Sequence, residues 1–152
     1  VKQIAYTNSD KYVLADDYFD VAPFAPPDTI NTSYGTLYPD GQYKVSKGFL
    51  FSANSPAINT DDSKRAAMVH DFFYSIMKDG LLSRDYRDDV DRYFYDMLII
   101  DGMVSFRAWY WYKAVRVGGD AALDSPRPRV QHAPPLSMLP PGHNALNSLK
   151  LG

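Results

Sequence analysis

The sequence predicts an α+β fold: a small antiparallel β-hairpin or sheet region, then a three-helix unit, then an extended Pro-rich C-terminal arm. Three observations lead there. Short β-prone runs separated by Pro and Gly fill the chain up to Phe51. Three stretches with helical spacing, each preceded by a Ser and followed by Gly, occupy most of residues 62–119. Prolines then recur through residues 120–152 and interrupt every regular element. The division expected is a compact domain over 1–119 and an arm over 120–152.

Tyr12-Val13-Leu14 and Tyr18-Phe19-Asp20-Val21 combine aromatic and β-branched residues and read as strands. Pro23, Pro26 and Pro27 mark residues 23–33 as a loop. Tyr34-Gly35-Thr36-Leu37-Tyr38 and Gln42-Tyr43-Lys44-Val45 flank Pro39-Asp40-Gly41, a turn signal between two β-prone runs, and so predict a hairpin. Lys47 to Phe51 continues as strand or strand end, and Ser52-Ala53-Asn54-Ser55-Pro56 leads into a loop.

The first helix is expected from about Asp62 to Asp79, with cap candidates at Thr60, Asp61, Asp62 and Ser63, and Gly80 as its stop. Ala66, Val69, His70, Phe73 and Met77 share one stripe, which places a polar imidazole on an apolar face. The second helix is expected from about Arg84 to Ile100, capped by Ser83 and ended by Asp101-Gly102. Arg87 and Asp91 stand four residues apart at the edge of its stripe of Tyr86, Val90, Tyr93/Phe94, Met97 and Ile100, where they can pair. The third is expected from about Ser105 to Val117, closed by Gly118-Gly119, with a strongly aromatic face of Phe106, Trp109, Tyr110, Lys113, Ala114 and Val117. Short connections predict that consecutive helices pack as neighbours.

In the arm, Pro126, Pro128, Pro134, Pro135, Pro140 and Pro141 favour extended, polyproline-like backbone. The expectation is an arm lying on a partner; a solvated tail is the alternative that composition supports.

A chain of 152 residues suits one domain with a real core. An aromatic fraction of 14%, with 12 Tyr and 8 Phe, suits either interfaces or a Tyr-rich core and surface. A formal net charge of −2 argues against general nucleic-acid binding, which needs a basic patch. The absence of Cys excludes disulfides, thiolate zinc sites and a Cys nucleophile. No apolar run approaches the roughly 18 residues of a membrane span. Val1-Lys2-Gln3 opens no signal-peptide core, so the expectation is a soluble protein made in the cytoplasm.

Four ordered pieces carry a resemblance. They are Val45-x-x-Gly48-Phe49 leading into Ser55-Pro56, Ala66-Ala67-x-x-His70-Asp71-x-x-Tyr74, Arg87-x-x-Val90-Asp91-x-x-Phe94, and Tyr112-x-Ala114-Val115-Arg116-x-x-Gly119. Over roughly residues 11–119 the pattern resembles the domain of unknown function 1353 family, found in phages, prophages and bacteria. The family has no established activity, so the resemblance implies a setting: phage-encoded, often among tail and lysis functions. Two positions depart from it. Ser52 stands where relatives typically carry the Asp of an Asp-x-Ala-Ser-like loop, and Val90 where an Ala is usual. If the loop carboxylate has a catalytic or metal role in the family, this chain lacks it.

His70, Asp71 and Asp91 are the candidate catalytic residues. An imidazole shuttles protons near neutral pH, and a carboxylate fixes its tautomer. His70 can reach Asp91 if the first two helices pack antiparallel. Asp71 points roughly 100° away around the helix, toward the loop or a metal. Against chemistry stands a buried polar network in which His70, Asp91, Arg87 and Arg116 satisfy one another and fix how the helices meet. The remaining His132 and His143 fall in the arm, which leaves little for a zinc site. Magnesium would use Asp71 and Asp91. Neither a metal nor a cofactor is expected. No Gly-rich phosphate loop occurs, and Ser52 and Ser55 lack the setting of a serine nucleophile.

The functional expectation is a structural, non-enzymatic component of a bacteriophage virion, in the tail or tail tip, made in the host cytoplasm. It would join other phage tail proteins in several copies, through aromatic surface and the arm. A phage-encoded hydrolase directed at peptidoglycan, using a His-Asp centre, is the first alternative; a tail assembly chaperone is the second.

Overall fold

A computed structural model describes residues 6–7, 12–52 and 61–124. It is an α+β fold in which antiparallel strands precede three helices. The strands form two sheets. β1 (Tyr6–Thr7), β2 (Tyr12–Leu14) and β7 (Leu50–Phe51) lie in the order β1-β2-β7. β3 (Tyr18–Val21), β4 (Ile30–Thr32), β5 (Gly35–Leu37) and β6 (Gln42–Val45) lie in the order β3-β6-β5-β4.

The hairpin at Pro39-Asp40-Gly41 is present. β5 and β6 pair antiparallel with Leu37 opposite Tyr43, and the turn closes through a hydrogen bond from Gly41 N to the Tyr38 carbonyl. Two strand expectations are corrected. Residues 30–32, expected as loop, form β4 against β5, where Ile30 buries its side chain opposite Leu37. Lys47 and Gly48 turn rather than extend, so the following strand begins only at Leu50.

α1 (Lys64–Lys78) is the central helix. It buries more than the expected single stripe: Met68, Phe72 and Ile76 are sealed as fully as Val69 and Phe73. Phe72 packs against Tyr34, Tyr43 and Phe49 of the sheet side, while Phe73 meets Phe24, Tyr43 and Tyr93. The helix ends where Gly80, at φ +74°, lets Gly80 N and Leu81 N return to the Met77 and Ile76 carbonyls.

A 3-10 turn over Arg84–Tyr86, capped by the Ser83 hydroxyl accepting from Asp85 N, leads into α2 (Arg87–Ile100). α2 lies between α1 and α3 (Ser105–Asp124) and packs on both. Arg65 ties the start of α1 to the end of α2: its guanidinium donates to both Asp101 oxygens, Oδ1 at 2.8 Å from Nη2 and Oδ2 at 2.9 Å from Nε. Its Nη1 donates to the Tyr18 hydroxyl of β3 at 2.9 Å.

α3 does not stop at Gly118-Gly119 but continues to Asp124. Residues 120–124, expected in the arm, are therefore helical, and Leu123 is buried against the body. The rest of the expected arm, residues 125–152, lies outside the described residues. Among the described residues, no helix is long and apolar enough to cross a membrane.

Candidate functional site

The sequence places His70 and Tyr74 one turn apart on α1, and Arg87 and Asp91 one turn apart on α2, so each pair shares a face. Packing α1 against α2 brings the two faces together. Asp91 is fully buried. Its Oδ1 accepts from His70 Nε2 at 2.8 Å and from the Tyr74 hydroxyl at 2.7 Å. Its Oδ2 accepts from Arg116 Nη1 of α3 at 2.9 Å, and Arg87 Nε stands 3.8 Å away. One carboxylate thus joins three helices. Because it can only accept, it fixes the proton of His70 on Nε2.

The arginines are held in turn. Arg87 Nη2 donates to the Arg116 carbonyl, Nη1 to Asp120 Oδ1 at 3.1 Å, and Nε to the Tyr74 hydroxyl at 3.4 Å. Arg116 Nη2 also pairs with Asp88 at 2.6 Å. Burial, followed by the hydrogen bond to Asp91, pushes the Tyr74 hydroxyl well above its ordinary value, so it stays protonated and donates. The His70 ring stacks against Tyr74, 4.1 Å between centroids, and leans on Phe94 at 5.0 Å.

Asp71 is turned away from this cluster. Its Oδ2 accepts from the Ser52 backbone N–H at 3.1 Å, at the end of β7. Burial pushes its carboxyl up to about 6, against the pull of His70 and of that N–H donor. Of the three candidate catalytic residues, His70 and Asp91 are therefore together, and Asp71 faces the loop side. Arg87 and Arg116 both reach the cluster.

Two further members stand in the family pattern without a role that the sequence assigns. Tyr74 follows His70 by four positions and so shares its face. Gly119 acts through space: an added Cβ there would sit 2.5 Å from Arg87 Nε and 2.6 Å from the Tyr74 hydroxyl oxygen. That glycine makes room for the polar layer between α2 and α3.

Residues 42–115 match a family described as a protein of unknown function, DUF1353. Residues 42–115 belong to the DUF1353 family. The matched DUF1353 segment runs from β6 through Val115, and so contains α1, α2, His70, Asp71 and Asp91 but stops one residue short of Arg116. No curated protein and no solved structure matches the chain.

The DUF1353 cluster has a definite chemical character. A carboxylate offers about four acceptor positions. Asp91 fills three with hydrogen bonds and turns the remaining side to Arg87. To bind a metal, it would have to give up one of these donors. Among the described residues, no group of three or more His, Cys, Asp or Glu side chains could hold a metal ion.

Proposed function

We propose that this DUF1353 chain is a structural component of a bacteriophage virion, placed in the tail or its tip, that docks on neighbouring subunits. One observation carries the reading. α3 is apolar on two opposite sides: Ala108, Trp111, Gly119 and Leu123 face the body, while Phe106, Trp109, Tyr110 and Val117 recur at i, i+3, i+4 and i+11 and stand 80%, 51%, 58% and 86% exposed. A helix apolar on both sides is built to be covered on both. Ile100 at the end of α2 and Val104 just before α3 are exposed as well. The family resemblance supports the phage setting. The saturated Asp91 supports a scaffold in preference to a reaction centre.

Mass spectrometry of purified particles from the phage or prophage encoding this chain tests the reading. The chain should appear at a fixed ratio to the tail proteins and vanish from tail-less particles. Its absence from washed virions would refute the assignment.

A second reading has a specific observation behind it. With Nε2 turned to Asp91, Nδ1 has no hydrogen bond among the described residues, on a side chain 11% exposed. A hydrolase acting on peptidoglycan would use that nitrogen, with Asp91 positioning it. Release of cell-wall fragments by the purified chain, lost in His70→Gln, would establish the enzyme instead.

A further inference from the structure

The outer stripe of α3 and the sequence that follows α3 suit each other chemically. From Phe106 to Val117 the stripe is about 17 Å long at ~1.5 Å per residue. Beyond Asp124 the chain has 28 more residues, with Pro134-Pro135-Leu136-Ser137-Met138-Leu139-Pro140-Pro141 near their middle. In polyproline form this eight-residue segment would span about 22–25 Å, enough to cover the stripe. Pro-rich segments dock on exposed aromatic surfaces because their backbone is already ordered and their rings lie flat on aromatic faces.

Charge points the same way. Residues 125–152 carry three basic side chains, Arg127, Arg129 and Lys150, and no acidic one; the other 124 residues carry 13 basic and 18 acidic. A cationic segment therefore accompanies an anionic body. At the end of α3, Asp120 and Asp124 pair with Arg87 and Arg84 and still leave their side chains 75% and 66% exposed.

The sequence that follows α3 favours a second copy as the one covered. Asp124 ends the helix, and Pro126 and Pro128 follow at once. Each proline fixes its own φ and keeps the preceding residue out of the helical region, so this stretch favours a stiff, extended path over an immediate reversal. We propose that residues 134–141 of one copy lie on the Phe106–Trp109–Tyr110 stripe of a second copy. This contact is heterologous, so it joins copies head to tail, into rings or filaments according to the angle. It deepens the virion reading by naming the chain itself as one neighbour.

Two full-length variants test it. One carries Pro134, Pro135, Pro140 and Pro141→Ser and keeps the stripe. The other carries Phe106→Ser and Trp109→Ser, both at exposed positions, and keeps the prolines. Circular dichroism confirms that each is folded. By light scattering, the unaltered chain should grow in mass with concentration, each variant alone should remain monomeric, and the two mixed should form a pair that grows no further. An unaltered chain that stays monomeric would overturn the proposal, as would variants that associate like the parent or a mixture without pairs. A monomer whose α3 amides lose exchange protection in the proline variant would show the segment folding on its own body, which also overturns it. Because this readout uses purified chain and no virions, it can fail while incorporation into particles succeeds, or the reverse.

Discussion

Gly119 on α3 faces Arg87 on α2 so closely that a methyl group at position 119 would meet the guanidinium at 2.5 Å. One residue earlier, a Cβ on Gly118 would meet nothing within 4 Å. Both glycines lie inside the same helix, where Ala is favoured over Gly by about 1 kcal/mol. The two should therefore respond oppositely to the same substitution. Gly118→Ala should stabilise the protein by roughly 0.5–1 kcal/mol. Gly119→Ala should destabilise it by roughly 1–3 kcal/mol, because Arg87 and Tyr74 must shift out of their bonds. Urea unfolding of the two variants measures this, and equal stabilisation by both would show that the polar layer yields without cost.

Asp91 compensates two guanidiniums as well as His70 and Tyr74. Asp91→Ala takes the acceptor away from His70 and Tyr74 and leaves Arg116 only Asp88 to pair with, and should cost about 3–5 kcal/mol. Tyr74→Phe removes one donor and leaves the carboxylate three neighbours, so its cost should be nearer 1 kcal/mol. A double-mutant cycle on this pair should return a coupling of about 1 kcal/mol or more, since both residues belong to one network. Strict additivity would mean that the hydrogen bond contributes nothing.

Asp71 should carry a signature in pH. Its carboxyl is raised from 3.8 unfolded to about 6 folded, chiefly by burial. The folded chain therefore holds this proton more tightly than the unfolded one. The stability that goes with it is complete below about pH 4 and is lost as pH rises through 6. Asp71→Asn keeps an acceptor for the Ser52 N–H and has no charge to bury. Above pH 7 it should be more stable than the parent by on the order of 2 kcal/mol, and the gap should close toward pH 4. Stability measured against pH for both proteins decides this; a gap that widens in acid would reverse the sign.

Much of this arrangement is legible before the fold is seen. Helical spacing places His70 on an apolar face and Asp91 at the edge of the next helix's stripe; a buried imidazole needs a partner, and Asp91 is within its reach once the two helices pack antiparallel. The step of 100° per residue likewise separates Asp71 from that meeting and sends it to the loop side, where it receives the Ser52 N–H. The hairpin at Pro39-Asp40-Gly41 is written in turn chemistry. What escapes a linear reading is set by groups far apart in the chain. Gly118-Gly119 looks like a helix stop because glycine usually is one there; the space required by Arg87, 32 positions earlier, is not visible locally. Arg65 is buried because Asp101 and Tyr18 receive it, a pairing across 36 and 47 positions that no local pattern announces. β4 is three residues in a Pro-flanked stretch, and only its pairing with β5 makes it a strand.

The way α3 is fastened has a mechanical consequence. Its second half is anchored by Arg84 to Asp124, by Arg87 to Asp120 and by Arg116 to Asp91, while Phe106 and Trp109 stand on its first half. A tug on those aromatic rings would travel along the helix as on a lever. It would enter α2 at the arginine rivets and reach α1 in part through Asp91, which His70 and Tyr74 also grip. Traction applied at the surface would thus be borne by all three helices at once.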